Sequence, residues 1–399
     1  MIYTLFEFKN LRERFDTWQA LSNYLASDEG GAFGIREVAH MPYALIYYRK
    51  GISNMSLPHS KWFRSVVWNT ETNMPIATST PKAVEEGAVN GNVFEWGCEQ
   101  FAGKTVQNFL EGVTLTIFRG ADGQTQVSSR TRLGAGRGFY SKVSFREMLD
   151  DAVKARGFGT VDDLLASQDG CNFLTVLLQH PAHRVVQVIA EPRLYILQTG
   201  TVAADGSVTI REVYESVIEG LKEGQIVAAW FEQLVTERGW GWQGITVHDG
   251  AGQRWRIRSS VYHMVRSMRG ATSRADERFF GLRAAGMVKT YLQYYPEDSN
   301  LYWQYEKWVR ATTRQLYRYY VDVHKAHSAT LNDIDARWHT HIGGLHRVYM
   351  TVLKPAGKSV RLTDAMGYIN TLPTPRLLFL MNIDKRGAPA PVPAPAPAT

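Results

Sequence analysis

No apolar run in this 399-residue chain reaches the roughly 18 residues that a membrane-spanning helix needs. The opening Met1-Ile2-Tyr3-Thr4-Leu5-Phe6-Glu7-Phe8-Lys9 is short and contains an acid, unlike a secretory leader, and reads better as a first strand. Cysteine is scarce. Cys98 and Cys171 allow at most one disulfide and have no metal-ligand spacing, so reduced thiols and an intracellular, cytoplasmic chain are expected. No cysteine or carboxylate completes a ligand set around His339, His341 and His346, and on a helix the first two would diverge by about 200°. A metal site is therefore not expected there.

What is present fits a globular body: 44% hydrophobic and 12% aromatic residues, in a chain long enough for two domains. The net charge of +7 is unevenly spread. Residues 1–265 carry 26 Lys+Arg against 28 Asp+Glu, whereas residues 266–385 carry 18 against 10. A basic segment beside a near-neutral one is an electrostatic footprint for nucleic acid, and equally the solvated face of ordinary helices.

Hydrophobic periodicity changes near the same boundary. Alternating or β-branched runs at 44–48, 65–68, 113–118, 185–189, 193–198, 207–213 and 244–248 read as strands, with turn signals such as Ala121-Asp122-Gly123-Gln124 between them. Helical spacing marks 11–26, 144–155, 160–167 and 219–238. The pattern predicts α+β with antiparallel sheets up to about residue 265, then an all-α segment over 266–385. The alternating Pro and Ala of 386–399 predict a disordered, extended tail.

Within the helical segment, ten aromatics fall between Tyr291 and Tyr320. They read first as helical core, with Trp308, Leu316 and Tyr319 near one face, and alternatively as base-stacking groups. Arg310, Arg314 and Arg318 recur every four residues, which on a helix makes one basic stripe suited to phosphate.

The most informative stretch is Trp242-Gln243-Gly244-Ile245-Thr246-Val247 followed by Arg254-Trp255-Arg256-Ile257-Arg258-Ser259-Ser260-Val261-Tyr262. Residues two apart on a strand share a face, so Arg256 and Arg258 can converge on one phosphate. Upstream, in order, stand Trp62-Phe63-Arg64-Ser65 with Pro81-Lys82, then Asn108-Phe109-Leu110-Glu111-Gly112-Val113-Thr114, Ser128-Ser129-Arg130-Thr131-Arg132, and Phe173 to Val186 with His180-Pro181-Ala182-His183-Arg184.

Taken together, over roughly residues 60–270, these segments resemble the RNA ligases similar to the phage T4 enzyme, in the covalent nucleotidyltransferase family. The resemblance implies a nucleotidyltransferase (adenylation) domain over 1–265 followed by the all-α domain. It implies nucleotide contacts by Arg64, Lys82, Glu111, Gly112, Gln243, Arg256 and Arg258, and RNA or nucleotide as partner without a membrane. Proteins with Pro-Ala tails and altered ligase signatures also resemble those of large DNA viruses, which is an expectation about source only.

Departures from the family pattern carry as much weight. Phe109 stands where the family has its nucleophilic lysine, Leu177 where a Glu would contact the ribose, and Gln243 where a Glu would contact the metal-bound nucleotide. No displaced lysine signature exists: Lys154-Ala155-Arg156-Gly157 has an Arg where the acid belongs. The first reading is thus a degenerate nucleotidyltransferase that binds nucleotide or RNA ends. The second is an active ligase taking ATP, with magnesium carried on its phosphates, through a relocated lysine such as Lys104 or Lys82. The third is an interaction protein with a vestigial pocket.

Overall fold

The computed structural model describes residues 1–85, 101–213, 215–218 and 227–381. Cys98, the first part of the helix expected over 219–238 and the Pro/Ala segment 386–399 lie outside these residues. The chain divides into two compact units, Met1–Ser267 and Met268–Thr399. The first is a mixed α+β body built on antiparallel sheets, and the region after it is helical, as the periodicity predicts.

In chain order the first unit contains β1 (Ile2–Leu5), α1 (Glu7–Arg14), α2 (Trp18–Ala26), β2 (Gly34–Glu37), β3 (Tyr43–Tyr47), β4 (Val66–Asn69), β5 (Met74–Thr78) and β6 (Val84–Glu85). There follow β7 (Thr105–Asn108), β8 (Val113–Arg119), β9 (Thr125–Ser128), α3 (Phe145–Ala155), α4 (Val161–Ala166), β10 (Phe173–Gln179), β11 (Arg193–Val202) and β12 (Val208–Glu212). The unit closes with α5 (Val227–Arg238), β13 (Gly244–His248), β14 (Arg254–Arg258) and α6 (Ser260–Arg269). A six-stranded sheet runs β1-β12-β11-β10-β8-β9, and two four-stranded sheets run β6-β14-β13-β7 and β2-β3-β4-β5. Neighbours are antiparallel except β6 with β14.

Each core explains a sequence pattern. All seven residues of β10 are buried, so Phe-Leu-Thr-Val-Leu-Leu-Gln shows no alternation, as expected for a strand covered on both faces. Helices α3 and α4 pack Met148, Leu149, Leu164 and Leu165 against Leu115, Ile117, Leu174 and Val176 of the large sheet. Both start on capping boxes, from Ser144 with Glu147 and from Thr160 with Asp163. Helix α5 packs Val227, Phe231 and Val235 with Val106, Ile245, Val247 and Ile257. One face of the β6-β14-β13-β7 sheet is therefore apolar, and the other is left for polar work.

Two expectations need correction. The helix expected over 11–26 is two helices: Phe15 turns extended, and Thr17 caps a fresh start by accepting from the Ala20 amide. A threonine oxygen competes with the continuing helix for backbone donors, and here it wins. Residues 185–189 do not form a strand. A short 3-10 turn at Pro181–His183 leads into a loop whose Val185, Val186 and Gln187 amides donate to the Glu111 carboxylate, so the ladder donors are already taken.

The second unit contains α7 (Ala275–Ala284), α8 (Val288–Tyr294), α9 (Ser299–His324), α10 (His339–Val348), α11 (Leu362–Asn370) and α12 (Thr374–Met381). Helix α9 buries Tyr302, Tyr305, Val309, Thr312, Thr313, Leu316 and Tyr320, a stripe at three- and four-residue spacing. Tyr302 stacks on Tyr291 with centroids 5.3 Å apart, and Tyr291 on Tyr295 at 4.6 Å. Much of the aromatic run is thus core, with Leu316 inside and Trp308 and Tyr319 half-buried.

Candidate functional site

Alternation along β14 separates two kinds of side chain. Ile257 joins the apolar core and Trp255 packs against it, while Arg254, Arg256 and Arg258 project to the opposite face. The pairing Gly244↔Arg258 and Thr246↔Arg256 on one side of β13, and Thr246↔Gln107 and His248↔Thr105 on the other, extends that face across the sheet. It carries Gln107, Thr246 and His248 beside the arginines. Phe109, anchored by its amide to the Gly244 carbonyl at 2.8 Å, has the Arg258 guanidinium 5.6 Å and the Arg256 guanidinium 6.0 Å from its ring centroid. Cations over a ring face are held by its quadrupole.

Glycine at two positions makes this geometry possible. A Cβ on Gly244 would lie 2.0 Å from the Ile257 carbonyl oxygen, and one on Gly112 would lie 2.6 Å from that of Leu178. Each allows neighbouring backbones to close up.

Arg64 reaches the same cleft from the segment before β4. Its guanidinium donates to Thr80 Oγ1 at 2.6 Å and to Thr114 Oγ1 at 3.1 Å. Burial, and then the positive charges of Arg254, Arg256 and Arg130, push it down to about 10, so it remains cationic at neutral pH. Arg64, half-buried, therefore has cations among its charged neighbours in a cleft whose lining also includes Glu212 and Glu215.

The cleft is lined by Arg64, Thr80, Phe109, Thr114, Thr246 and Arg254, among others, and includes a buried His248. His248 Nδ1 lies 3.4 Å from Glu212 Oε1. Burial, followed by the charge of Arg254, lowers its pKa below the ordinary histidine value despite that carboxylate. Among the described residues no lysine lines the cleft. Its volume is about 80 Å³, well below the roughly 300–1,000 Å³ of small-molecule sites.

The other residues singled out from the sequence fall in different places. Glu111 is buried and its carboxylate is fully engaged: it accepts from the amides of Val185, Val186 and Gln187 at 3.3, 3.0 and 3.2 Å and from the Tyr262 hydroxyl at 2.7 Å. Burial and the Glu111 charge both push the Tyr262 phenol up, so it stays a donor. Glu111 thus anchors the loop after β10. Gln243 is buried, its carbonyl accepting from the Ser259 amide at 3.0 Å, and it does not line the cleft. Lys82 sits with its amine 5.8 Å from the Tyr48 ring centroid, and Arg130 approaches the same ring at 5.1 Å.

Lys104, one of the two lysines expected as a relocated nucleophile, sits beside Trp255. Its amine lies 5.5 Å from the Trp255 ring centroid, and Trp255 packs on the apolar face of the sheet, away from the arginines. The four residues of β7, at about 3.4 Å each, further separate it from Phe109. In the helical unit, Arg310, Arg314 and Arg318 are all exposed on α9, and Arg310 pairs with Glu306 at 3.4 Å. The three histidines go different ways: His339 to the Ile334 carbonyl, His341 to the Tyr368 hydroxyl and His346 onto the His324 ring at 4.0 Å. Among the described residues no group of three or more His, Cys, Asp or Glu could hold a metal ion.

Sequence reasoning missed Arg254, His248, Glu212, Thr80 and Thr114. Arg254 was findable, since it continues the Arg256, Arg258 alternation. His248 was not, because its place depends on the pairing of β7 with β13.

No family model and no curated protein matches this chain. Among solved structures, an archaeal ATP-dependent RNA ligase is similar in two forms. One is 10% identical, with TM-score 0.37 over 70% of this chain and 68% of that one. The other is 12% identical, with TM-score 0.39 over 69% and 68%. A putative ATP-dependent DNA ligase from Aquifex aeolicus is 10% identical, with TM-score 0.37 over 71% of each chain.

Proposed function

We propose that this protein is a ligase-like nucleotidyltransferase that has lost self-nucleotidylation and holds the phosphorylated end of an RNA without covalent chemistry. The observation that carries this is Phe109, which has the Arg258 and Arg256 guanidiniums 5.6 and 6.0 Å from its ring centroid in a cleft that no lysine lines among the described residues; the resemblance puts the family's nucleophile at this position. Covalent transfer requires an amine in line with the α-phosphorus. A phenyl ring has no lone pair, and guanidiniums stay protonated and cannot substitute.

What the arginines can do is bind. Arg64, Arg254, Arg256 and Arg258 present planar donors on one face, and such forks hold phosphate by paired charge-assisted hydrogen bonds. Thr80 and Thr114 fix the orientation of Arg64, and Glu111, which also accepts from Tyr262, fixes the loop after β10. A nucleoside triphosphate with magnesium would meet the same arginines, but no amine there would accept its nucleotidyl group. In the helical unit, Arg310, Arg314 and Arg318 add sequence-independent contacts to the phosphate backbone.

The test compares 5′-phosphorylated and 5′-hydroxyl oligoribonucleotides of one sequence by equilibrium anisotropy. The phosphorylated strand should bind about tenfold more tightly, as expected for charge-assisted bonds of about 1.5–3 kcal/mol, and Arg256→Ala should abolish the difference in folded protein. Equal affinity for the two strands would favour an interaction protein whose cleft is vestigial.

A further inference from the structure

The helical unit contains a second cavity, of about 770 Å³, between α8 and the start of α9. That is the size of a small-molecule site. Phe279 contributes buried surface, Leu292 and Val288 an aliphatic wall, Trp303 an indole, and Lys289, Asn300 and Glu306 polar groups. Trp303 is 60% exposed although the other aromatics around it, Tyr302 and Tyr305, are buried. Core packing therefore does not account for an indole at this position. Lys307 places its amine 3.3 Å from the centroid of that indole, which covers one ring face and gives the ring a cationic neighbour.

Trp303, Lys307, Arg310, Arg314 and Arg318 follow one another at spacings of three or four along α9. They form a single exposed stripe with the aromatic residue at the cavity and the cations leading away from it. Glu306, held by Arg283 at 3.0 Å and by Arg310 at 3.4 Å, adds an acceptor at the cavity edge suited to an exocyclic amino group. An apolar helix of another protein would match the cavity wall but not a stripe of four cations. A strand of phosphates with planar bases matches both.

We infer that this cavity is a stacking site for one base of a single-stranded nucleic acid, whose backbone continues along Lys307, Arg310, Arg314 and Arg318. The inference rests on the reading of the helical unit as nucleic-acid-binding, and adds to it a base-dependent contact. Trp303 supplies the stacking surface, Lys289 and Lys307 flank the entering phosphates, and the arginines act on charge alone. The face of a base is read rather than its sugar, so RNA and DNA single strands are both accommodated.

The experiment uses the full chain and two fluorescein-labelled 12-mers, one of mixed sequence and one wholly abasic, each made as RNA and as DNA with 5′-hydroxyl ends. Wild-type protein should bind the base-containing strand of either sugar about tenfold more tightly than the abasic one, the effect of one stacked base. Trp303→Ala should remove that preference while leaving abasic binding unchanged, and Trp303→Phe should restore part of it. Far-ultraviolet circular dichroism would verify that the variants keep their helices. If the abasic strand binds as tightly as the mixed one, or if Trp303→Ala keeps the preference, the stacking site is wrong while the phosphate stripe stands. If neither strand binds, the nucleic-acid reading of the helical unit falls with it.

Discussion

The two units place the same residue type in opposite settings. In the α+β unit the arginines lie on a sheet face, half-buried, with Arg64 tied to two threonines. In the helical unit Arg310, Arg314 and Arg318 stand in solvent on one helix. A fixed, desolvated guanidinium selects a ligand by geometry, whereas an exposed one attracts any polyanion and is screened by salt. Overall charge hides this distinction. The near-neutral part of the chain, with its 28 acids, still gathers Arg64, Arg254, Arg256 and Arg258 together, while an acid such as Glu111 is turned to backbone amides.

The comparison can be broken most severely at Glu111. Replacing it with Gln leaves a buried site facing three amides and a phenol without a matching carboxylate, so unfolding by denaturant should show a loss of about 3 kcal/mol or more. Arg314→Ala should stay within about 0.5 kcal/mol of the parent. If Glu111→Gln proved neutral, the anchor role assigned to it would be wrong. A smaller effect is expected from pyrophosphate. At a hundred times its dissociation constant it should raise stability by about 2.7 kcal/mol through linkage, against little change in sodium chloride of equal ionic strength, and Arg254→Ala should remove most of that gain.

The helical stripe is sharpened by salt. Changing Arg310, Arg314 and Arg318 together to Ala should reduce the slope of log affinity against log salt for a single strand by about 2, at about 0.7 per contact. Arg256→Ala should leave more of the slope intact while removing the 5′-phosphate preference. The smallest effect concerns protons. Burial, then Arg254, lowers the His248 pKa, so the folded state resists protonation that the unfolded chain accepts at 6.5. Stability from this group is thus complete above that unfolded value and falls as pH drops towards the folded one, and His248→Gln should flatten that fall. His324, lowered by burial and then by His346, contributes in the same direction in the other unit.

Local pattern made much of this legible. The β14 alternation alone puts Arg256 and Arg258 on one face, and the four-residue spacing puts Arg310, Arg314 and Arg318 on one helix. The strand expected at 185–189 failed because Val185 and Val186 are β-branched for packing, while the Val186 amide serves a carboxylate 75 residues away in sequence. Lys104 looked close to Phe109 because sequence distance ignores which side of a sheet a residue takes. Cleft volume was invisible altogether, since it depends on strands paired across long sequence separations, with close backbone approaches of Gly112 to Leu178 and of Gly244 to Ile257. The acid in Leu110-Glu111-Gly112 gave no sign in the sequence that its carboxylate would collect the amides of Val185, Val186 and Gln187.

The measurement that bears most directly on the central claim is incubation of the purified protein with magnesium and α-labelled ATP or GTP, followed by denaturing electrophoresis beside a working ligase. A lysyl-nucleotide bond survives denaturation and bound nucleotide does not. The account expects no labelled band from folded protein at any nucleotide concentration, with Phe109 in place. A band at the mass of this chain would contradict it and call for mapping of the modified lysine, Lys104 and Lys82 first.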